Sequence, residues 1–371
     1  MRSRRFAFGG RLDRYVSSIF IASWATSFLV VVGLFLIMDL AQNFDEFLEV
    51  WPDGTQPGTD LLATYYLLNI PSLFLQCAPF VCFSAGLFTL GRLAKHNEVQ
   101  AALAAGLDAR RVLLPIFVGG LVSMVLMISV RELSASDLAR KRDGIAWIFR
   151  HKQSEIVYED IYVRDVGGGI IRLEEYHPSD GGSAPRVNGL EATVKRDGKW
   201  TTVLADHMVY EERDGESGWW LEGGQRYEVG EEEQRSSVEQ LEGFDFSPDL
   251  PLSYQRAREN PLDLSISETL VLAERDPENV IYQTLLHYHL TFPLACIVLL
   301  LVGLPFQLRL DRGGGADGLI RGMLLCVFFF AADFACRNFG LQGTLDPLIA
   351  SWLPLLTFGS LGVALYDGIQ S

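Results

Sequence analysis

The sequence predicts an integral membrane α-helical protein with six transmembrane helices and an inserted, all-β, jelly-roll-like domain. Three observations predict it. Six long apolar runs are split three and three; between the third and fourth, the hydrophobic period changes from helical to alternating; and the charge is gathered in that same stretch. The 371 residues are 49% hydrophobic yet carry a net charge of −15. Residues 131–280 hold 32 acidic and 18 basic side chains, a net of −14, and the remaining 14 acidic and 13 basic side chains net only −1. The acidity therefore belongs to one soluble segment, and its flanks read as membrane.

Crossing a hydrocarbon core of about 30 Å takes about 20 helical residues. The run 15–38 qualifies at once. The run 61–91 is uncharged for 31 residues, too short for two spans and long for one, with Pro71 and Pro79 inside it. It reads as one kinked or tilted helix. The third span is 112–130, and 285–308, 319–339 and 347–366 follow the acidic segment. The chain thus divides into three spans over 1–130, a β domain over 131–280 and three spans over 281–371. The basic leader resembles the start of a signal peptide. Its 24-residue apolar run and the lack of a small-x-small pattern after it predict an uncleaved first span instead.

Basic residues in short loops set orientation. Arg2, Arg4, Arg5, Arg11 and Arg14 precede the first span; Arg92, Lys95, Arg110 and Arg111 fill the second connection; Arg309, Arg312 and Arg321 fill the fourth. The first connection, DLAQNFDEFLEVWPDGTQPGTD, has six acids and no Lys or Arg. Both termini are therefore expected in the cytoplasm and the β domain outside.

In the exported segment, SEIVYEDIYVRD, GIIRLEEY, LEATVKRDGKWTTVLADHMVYEE, SGWWLEGGQRYEV and VEQLEGFDF read as strands. Asp197-Gly198 is a two-residue hairpin signal, and Asp214-Gly215 and Gly223-Gly224 are further expected turns. Such short, evenly spaced strands fit a sandwich or jelly roll. It is either a rigid ectodomain or a sheet whose interior, around Ile161, Val163 and Val203, forms an apolar trough for lipid. Ser265-x-x-Glu268 is a capping box opening a short helix before the fourth span. Cys77, Cys82, Cys296, Cys326 and Cys336 all fall in apolar runs, so they read as packing residues rather than a disulfide framework.

Catalytic patterns are missing. The only Gly-Lys, Gly198-Lys199, is followed by Trp200 and sits in a hairpin, and neither H-E-x-x-H nor G-x-S-x-G occurs. The chain is expected not to be an enzyme and to need no metal, cofactor or nucleic-acid partner. His287 and His289 are two residues apart on a helix, hence on different faces, and read as interfacial polar residues.

Two features remain. The fifth span carries Asp333 and Arg337, each costing roughly 2.5–3.5 kcal/mol at mid-membrane if alone. At i, i+4 they can neutralise each other or line a substrate path. The second connection, GRLAKHNEVQAALAAGLDARRVLLP, reads as a helix of its own over about 92–108. It either lies passively on anionic headgroups or fits a groove on a separate ATP-hydrolysing partner.

Three spans, about 150 β residues and three more spans resemble the lipopolysaccharide-export permease family (LptF/LptG type, YjgP/YjgQ permeases). The resemblance is carried by LDRYV, HNEVQAALAAGLDARRVLLP and LHYHLTFPLACIVLLLVGLPFQL. It implies a permease subunit of an ATP-driven export complex in the inner membrane of a Gram-negative-type bacterium. Such a subunit pairs with a second homologous permease and a cytoplasmic ATP-binding subunit dimer. It lifts lipopolysaccharide or a related glycolipid from the outer leaflet and passes it to a periplasmic bridge protein of like β fold. The resemblance makes 92–108 the coupling helix, with Glu98 at the ATPase contact, Gly106 closing the helix, and Arg92, Arg110 and Arg111 beside it. It also places a lipid path on the first and fifth spans, where Phe35, Phe328, Asp333 and Arg337 are the candidates. Family members carry basic residues where the first span leaves the membrane; this chain has Asp39, Asp45 and Glu46 there, so phosphate binding is not carried over to that end. Two other classes compete. A secondary transporter would show internal repeats and several midplane charges. A membrane-anchored scaffold would use the β domain only to bind partners.

Overall fold

A computed structural model of the chain describes residues 10–42, 58–134, 137–151, 156–179, 183–196, 199–213, 215–228, 235–241, 244–309 and 315–368. These fall into two compact units. The first lies within Met1–Phe44, Asn69–Ser134 and Gln283–Ser371, and the second within Asp45–Leu68 and Ala135–Tyr282.

Six helices are long and apolar enough to cross a membrane: α1 (Arg11–Gln42), α2 (Thr59–Lys95), α4 (Ala109–Ser134), α8 (Val280–Arg309), α9 (Gly315–Leu341) and α10 (Pro347–Asp367). Their positions match the six apolar runs. Helix α2 is one helix with Pro71 and Pro79 inside it. Helices α2 and α8 form the centre of the membrane unit, with 78% and 72% of their apolar windows buried, against 22% for α1 and 17% for α9. Close approach needs small side chains where helices meet. A Cβ on Gly303 of α8 would run into the Phe83 ring of α2, and one on Gly119 of α4 into Phe20 of α1.

The short helix α3 (Glu98–Ala104) lies between α2 and α4. It is shorter than the expected 92–108, because the chain takes left-handed turns on both sides of it, at Asn97 (φ 56°) and Gly106 (φ 79°). Arg92 and Lys95 therefore belong to the last turn of α2, and Arg110 and Arg111 to the first turn of α4.

In the second unit, β1 (Tyr158–Arg164), β2 (Ile170–His177), β3 (Arg186–Arg196), β4 (Lys199–Arg213), β5 (Glu216–Glu222), β6 (Gln225–Glu228) and β7 (Ser236–Ser237) form one antiparallel sheet. Arg196 pairs with Lys199 and Arg213 with Glu216, leaving two residues for each hairpin. Asp197, Gly198 and Asp214 lie outside the described residues. Gly223-Gly224 is not a hairpin turn. Strands β5 and β6 both pair with β4 in one unbroken register, Glu222 opposite His207 and Gln225 opposite Leu204. The glycines interrupt the ladder where a Cβ on Gly224 would strike the Val238 carbonyl. The expected strand VEQLEGFDF is reduced to an isolated bridge between Gln240 and Trp220, with Glu242 and Gly243 outside the described residues.

A pattern runs across this sheet that strict alternation does not contain. Tyr158 and Ile161 are both buried, as are Leu173 and Tyr176, Val187 and Leu190, and Ala205 and Met208. Each pair encloses two residues that are not buried: Glu159-Asp160, Glu174-Glu175, Asn188-Gly189 and Asp206-His207. Leu221-Glu222-Gly223-Gly224 continues the row in the fifth position. Strands β1 to β4 and the stretch from β5 into β6 thus each carry one extra residue at the same level, so the pairing register passes through undisturbed. The backbone absorbs it with positive φ on alternate strands, at Asp160 (51°), Gly189 (70°) and Gly223 (71°).

The buried face is closed by helices the sequence reading did not anticipate. Trp147 of α5 (Asp137–His151) and Leu250 of α6 (Leu250–Glu259) share one core with Ile161, Val163, Val203, Trp219 and Phe246. Ile161, Val163 and Val203 are therefore interior residues of a core that includes large aromatic side chains, and do not line an open trough. Trp219 Nε1 donates to the Phe246 carbonyl at 2.8 Å and the Tyr176 hydroxyl to that of Pro248 at 2.7 Å, which pins the closing segment. Helix α7 (Ile266–Arg275) opens on the expected capping box: Glu268 N donates to Ser265 Oγ at 2.9 Å and Ser265 N to Glu268 Oε2 at 3.0 Å.

Candidate functional site

Among the described residues of the membrane unit, two polar groupings and a groove stand out. The first grouping surrounds α3. Asp13 is the third residue of α1 and only 2% exposed, so its charge needs compensation. Gly10 N donates to its Oδ2 at 2.9 Å, half of a capping box, and Arg111 of α4 donates to both carboxylate oxygens at 2.5 and 2.7 Å. Two residues along α1, the Tyr15 hydroxyl donates to Glu98 Oε1 of α3 at 3.0 Å. The start of the first span is thus joined both to α3 and to α4.

Gly106 closes α3 as a Schellman turn: Gly106 N donates to the Leu103 carbonyl at 2.9 Å and Leu107 N to that of Ala102 at 3.1 Å. The other expected residues separate. Arg110 Nη2 reaches Asp367 Oδ1 at 3.3 Å, and its guanidinium lies over the Tyr366 ring at the end of α10, where the helix dipole favours a cation. Arg111 is held by Asp13. Arg92 is exposed and makes no ion pair among the described residues. Of the five residues, Glu98 and Arg92 keep chemistry available to a partner, beside an exposed face of α3 that includes Gln100 and Leu103.

The second grouping joins α8 and α9. Asp333 and Arg337 stand 4.0 Å apart, a loose pair. Arg337 instead donates to the Tyr288 hydroxyl at 2.6 Å and lies over the Tyr288 ring at 4.9 Å. Sequence spacing pointed to the partner on the same helix and missed the one on the neighbouring span. His289 is buried, 1% exposed, and neither ring nitrogen has a hydrogen-bond partner among the described residues. Phe328 is exposed on α9 and Phe35 is half-buried on α1.

A groove of about 500 Å³ lies between α1, α2 and α9. Ser23, Thr26 and Ser27 line it from α1, Ser84, Phe88 and Arg92 from α2, and Met323 from α9. The Ser84 hydroxyl is buried and without a hydrogen-bond partner among the described residues. The groove involves the first and fifth spans, but none of Phe35, Phe328, Asp333 and Arg337 is in its lining. Among the described residues no cluster of three His, Cys, Asp or Glu side chains could hold a metal ion.

A family model described as lipopolysaccharide export system permease LptF/LptG matches residues 14–367, nearly the whole chain. A search of curated proteins finds no match.

Proposed function

Since the chain belongs to the LptF/LptG family of lipopolysaccharide export permeases, we propose that it is one permease of an ATP-driven complex. In this reading a cytoplasmic ATP-binding dimer docks on α3, a second homologous permease covers the exposed faces of α1 and α9, and the β unit faces the periplasm. Lipopolysaccharide or a related glycolipid leaves the outer leaflet of the inner membrane along α1 and α9 and passes to a bridge protein of like fold. Both termini lie in the cytoplasm, as the basic residues around α3 and before α1 favour.

The observation that carries the proposal is the bond between Tyr15 and Glu98. It links a short helix outside the spans directly to the first span, which also walls the groove. A passive surface helix needs no such link. The residues support division of labour as well: this chain moves lipid and its partner hydrolyses ATP.

The test is Glu98→Lys in cells that also make the neighbouring subunits. The variant is expected to insert and fold normally, because Glu98 is half-buried at a surface, and to lose the co-purifying ATPase. Normal recovery of the ATPase with normal export would sink the docking assignment. Ion-driven lipid flux without ATP would instead point to a secondary transporter, and no flux with retained protein partners to a scaffold.

A further inference from the structure

We propose that Tyr15 is a positioning residue that ties the first span to the docking helix through the very carboxylate a partner's cation engages. The proposal rests on the reading of α3 as the docking helix.

The start of α1 holds two contacts of different character. Asp13 is buried and bound by both terminal nitrogens of Arg111, beyond the Gly106 turn. That contact fixes α1 to α4. Tyr15 is 43% exposed and gives a single hydrogen bond to the Glu98 carboxylate, before the turn. That contact is exchangeable. Only Oε1 of Glu98 is taken, and Oε2 has no hydrogen-bond partner among the described residues. An arginine or lysine of a docked partner can therefore bind Oε2 while Tyr15 holds Oε1, giving a continuous chain from partner to carboxylate to hydroxyl to α1.

What lies further along α1 gives this chain a destination. Ser23, Thr26 and Ser27 line the groove two to three turns beyond Tyr15, about 12–18 Å at the helical rise of 1.5 Å per residue. A helix transmits a displacement of its first turn over that distance with little loss. With Asp13 as the fixed point, a shift of the Glu98 carboxylate tilts the span that walls the groove.

Two conservative variants separate the parts. Tyr15→Phe keeps the ring and removes the donor; Glu98→Gln keeps an oxygen for Tyr15 and removes the charge. The experiment uses the full complex with its ATPase and companion permease, reconstituted in vesicles containing lipopolysaccharide, and reads lipid moved per ATP hydrolysed. Tyr15→Phe is expected to assemble and hydrolyse ATP like wild type while the lipid-to-ATP ratio falls about tenfold, the scale of one hydrogen bond to a charged group. Spin labels at Arg14 and Gln100, both exposed, are expected to lose their nucleotide-dependent distance change in the same variant. Glu98→Gln is expected to weaken assembly with the Arg14–Gln100 distance of the free chain unchanged. If Tyr15→Phe keeps the wild-type ratio and the wild-type distance change while Glu98→Gln impairs assembly, the relay is overturned and docking stands. If Glu98→Gln and Glu98→Lys both assemble and transport normally, the docking reading fails and takes the relay with it.

Discussion

In the β unit, Arg142 and Arg256 are each less than one-tenth exposed, and both are matched within the unit. Arg142 meets Asp143 at 2.7 Å and Asp263 at 2.9 Å, and Arg256 meets Glu268 at 2.8 Å. In the membrane unit, Arg111 is matched by Asp13 and Arg337 by Tyr288, while α1 and α9 leave Leu29, Leu34, Val327 and Phe328 exposed. The β unit pairs its most buried arginines internally and buries one apolar core. The membrane unit has matched the charges of Asp13 and Arg111, leaves the buried Ser84 hydroxyl and His289 ring without partners among the described residues, and keeps apolar faces of α1 and α9 exposed. One unit keeps its apolar residues largely inside; the other presents them on its spans, as helices facing an apolar surround do.

The sharpest way to break this contrast is to open the charge cluster. Arg142→Ala leaves Asp143 and Asp263 without their shared cation and is expected to cost about 3–5 kcal/mol of stability in the β unit. Denaturant unfolding of the full chain, followed by tryptophan fluorescence, reads this, and a midpoint equal to wild type would mean that the cluster does not hold the unit together. Next comes the row of extra residues. Gly189→Val places a branched side chain at φ 70° against the Glu174 side chain and is expected to cost about 2–4 kcal/mol in the same measurement. A cost below that of an ordinary surface change would show that the row is tolerant.

In the membrane unit, Tyr288→Phe is expected to lower stability in detergent by about 1.5–3 kcal/mol, as for a hydrogen bond to a charged group. Asp333→Asn should do less, since its separation from Arg337 is 4.0 Å. The reverse order would restore the same-helix pair as the important one. The smallest effect concerns Glu175, an exposed carboxylate. The Asn188 amide, donating at 2.8 Å, holds it below the usual glutamate range, with His177 adding to this. A depressed carboxyl contributes stability above its unfolded pKa and loses it as pH falls through its folded pKa. In Asn188→Ala the Glu175 titration, followed by NMR, should move up toward the ordinary glutamate value, and the acid side of the stability curve should flatten slightly.

What the sequence disclosed tracks the range of each interaction. The six spans and the Ser265 capping box were legible because each is written in consecutive residues. Helix α3 was legible as a helix but not in length, since Asn97 adopts a left-handed conformation that its residue type alone does not demand. The Asp13–Arg111 and Tyr15–Glu98 contacts join residues 98 and 83 positions apart, and no local pattern encodes them. Helices α5 and α6 were missed because their apolar residues serve a core made mostly of strands. The row of extra residues was open to view as a repeated apolar-polar-polar-apolar motif in YEDI, LEEY, VNGL, ADHM and LEGG, and was hidden by the assumption of strict alternation.

That row also limits how this sheet can change length. Because five successive strand levels carry the extra residue together, deleting one residue from VNGL alone would turn Leu190, Ala192 and Val194 toward water while the strands on either side kept their facing. A single deletion in any one strand is therefore a frame error for everything beyond it, and only a concerted change across all five would preserve the interior. Descendants of this sequence can vary freely in the hairpins but must inherit the spacing of these tetrapeptides as a set.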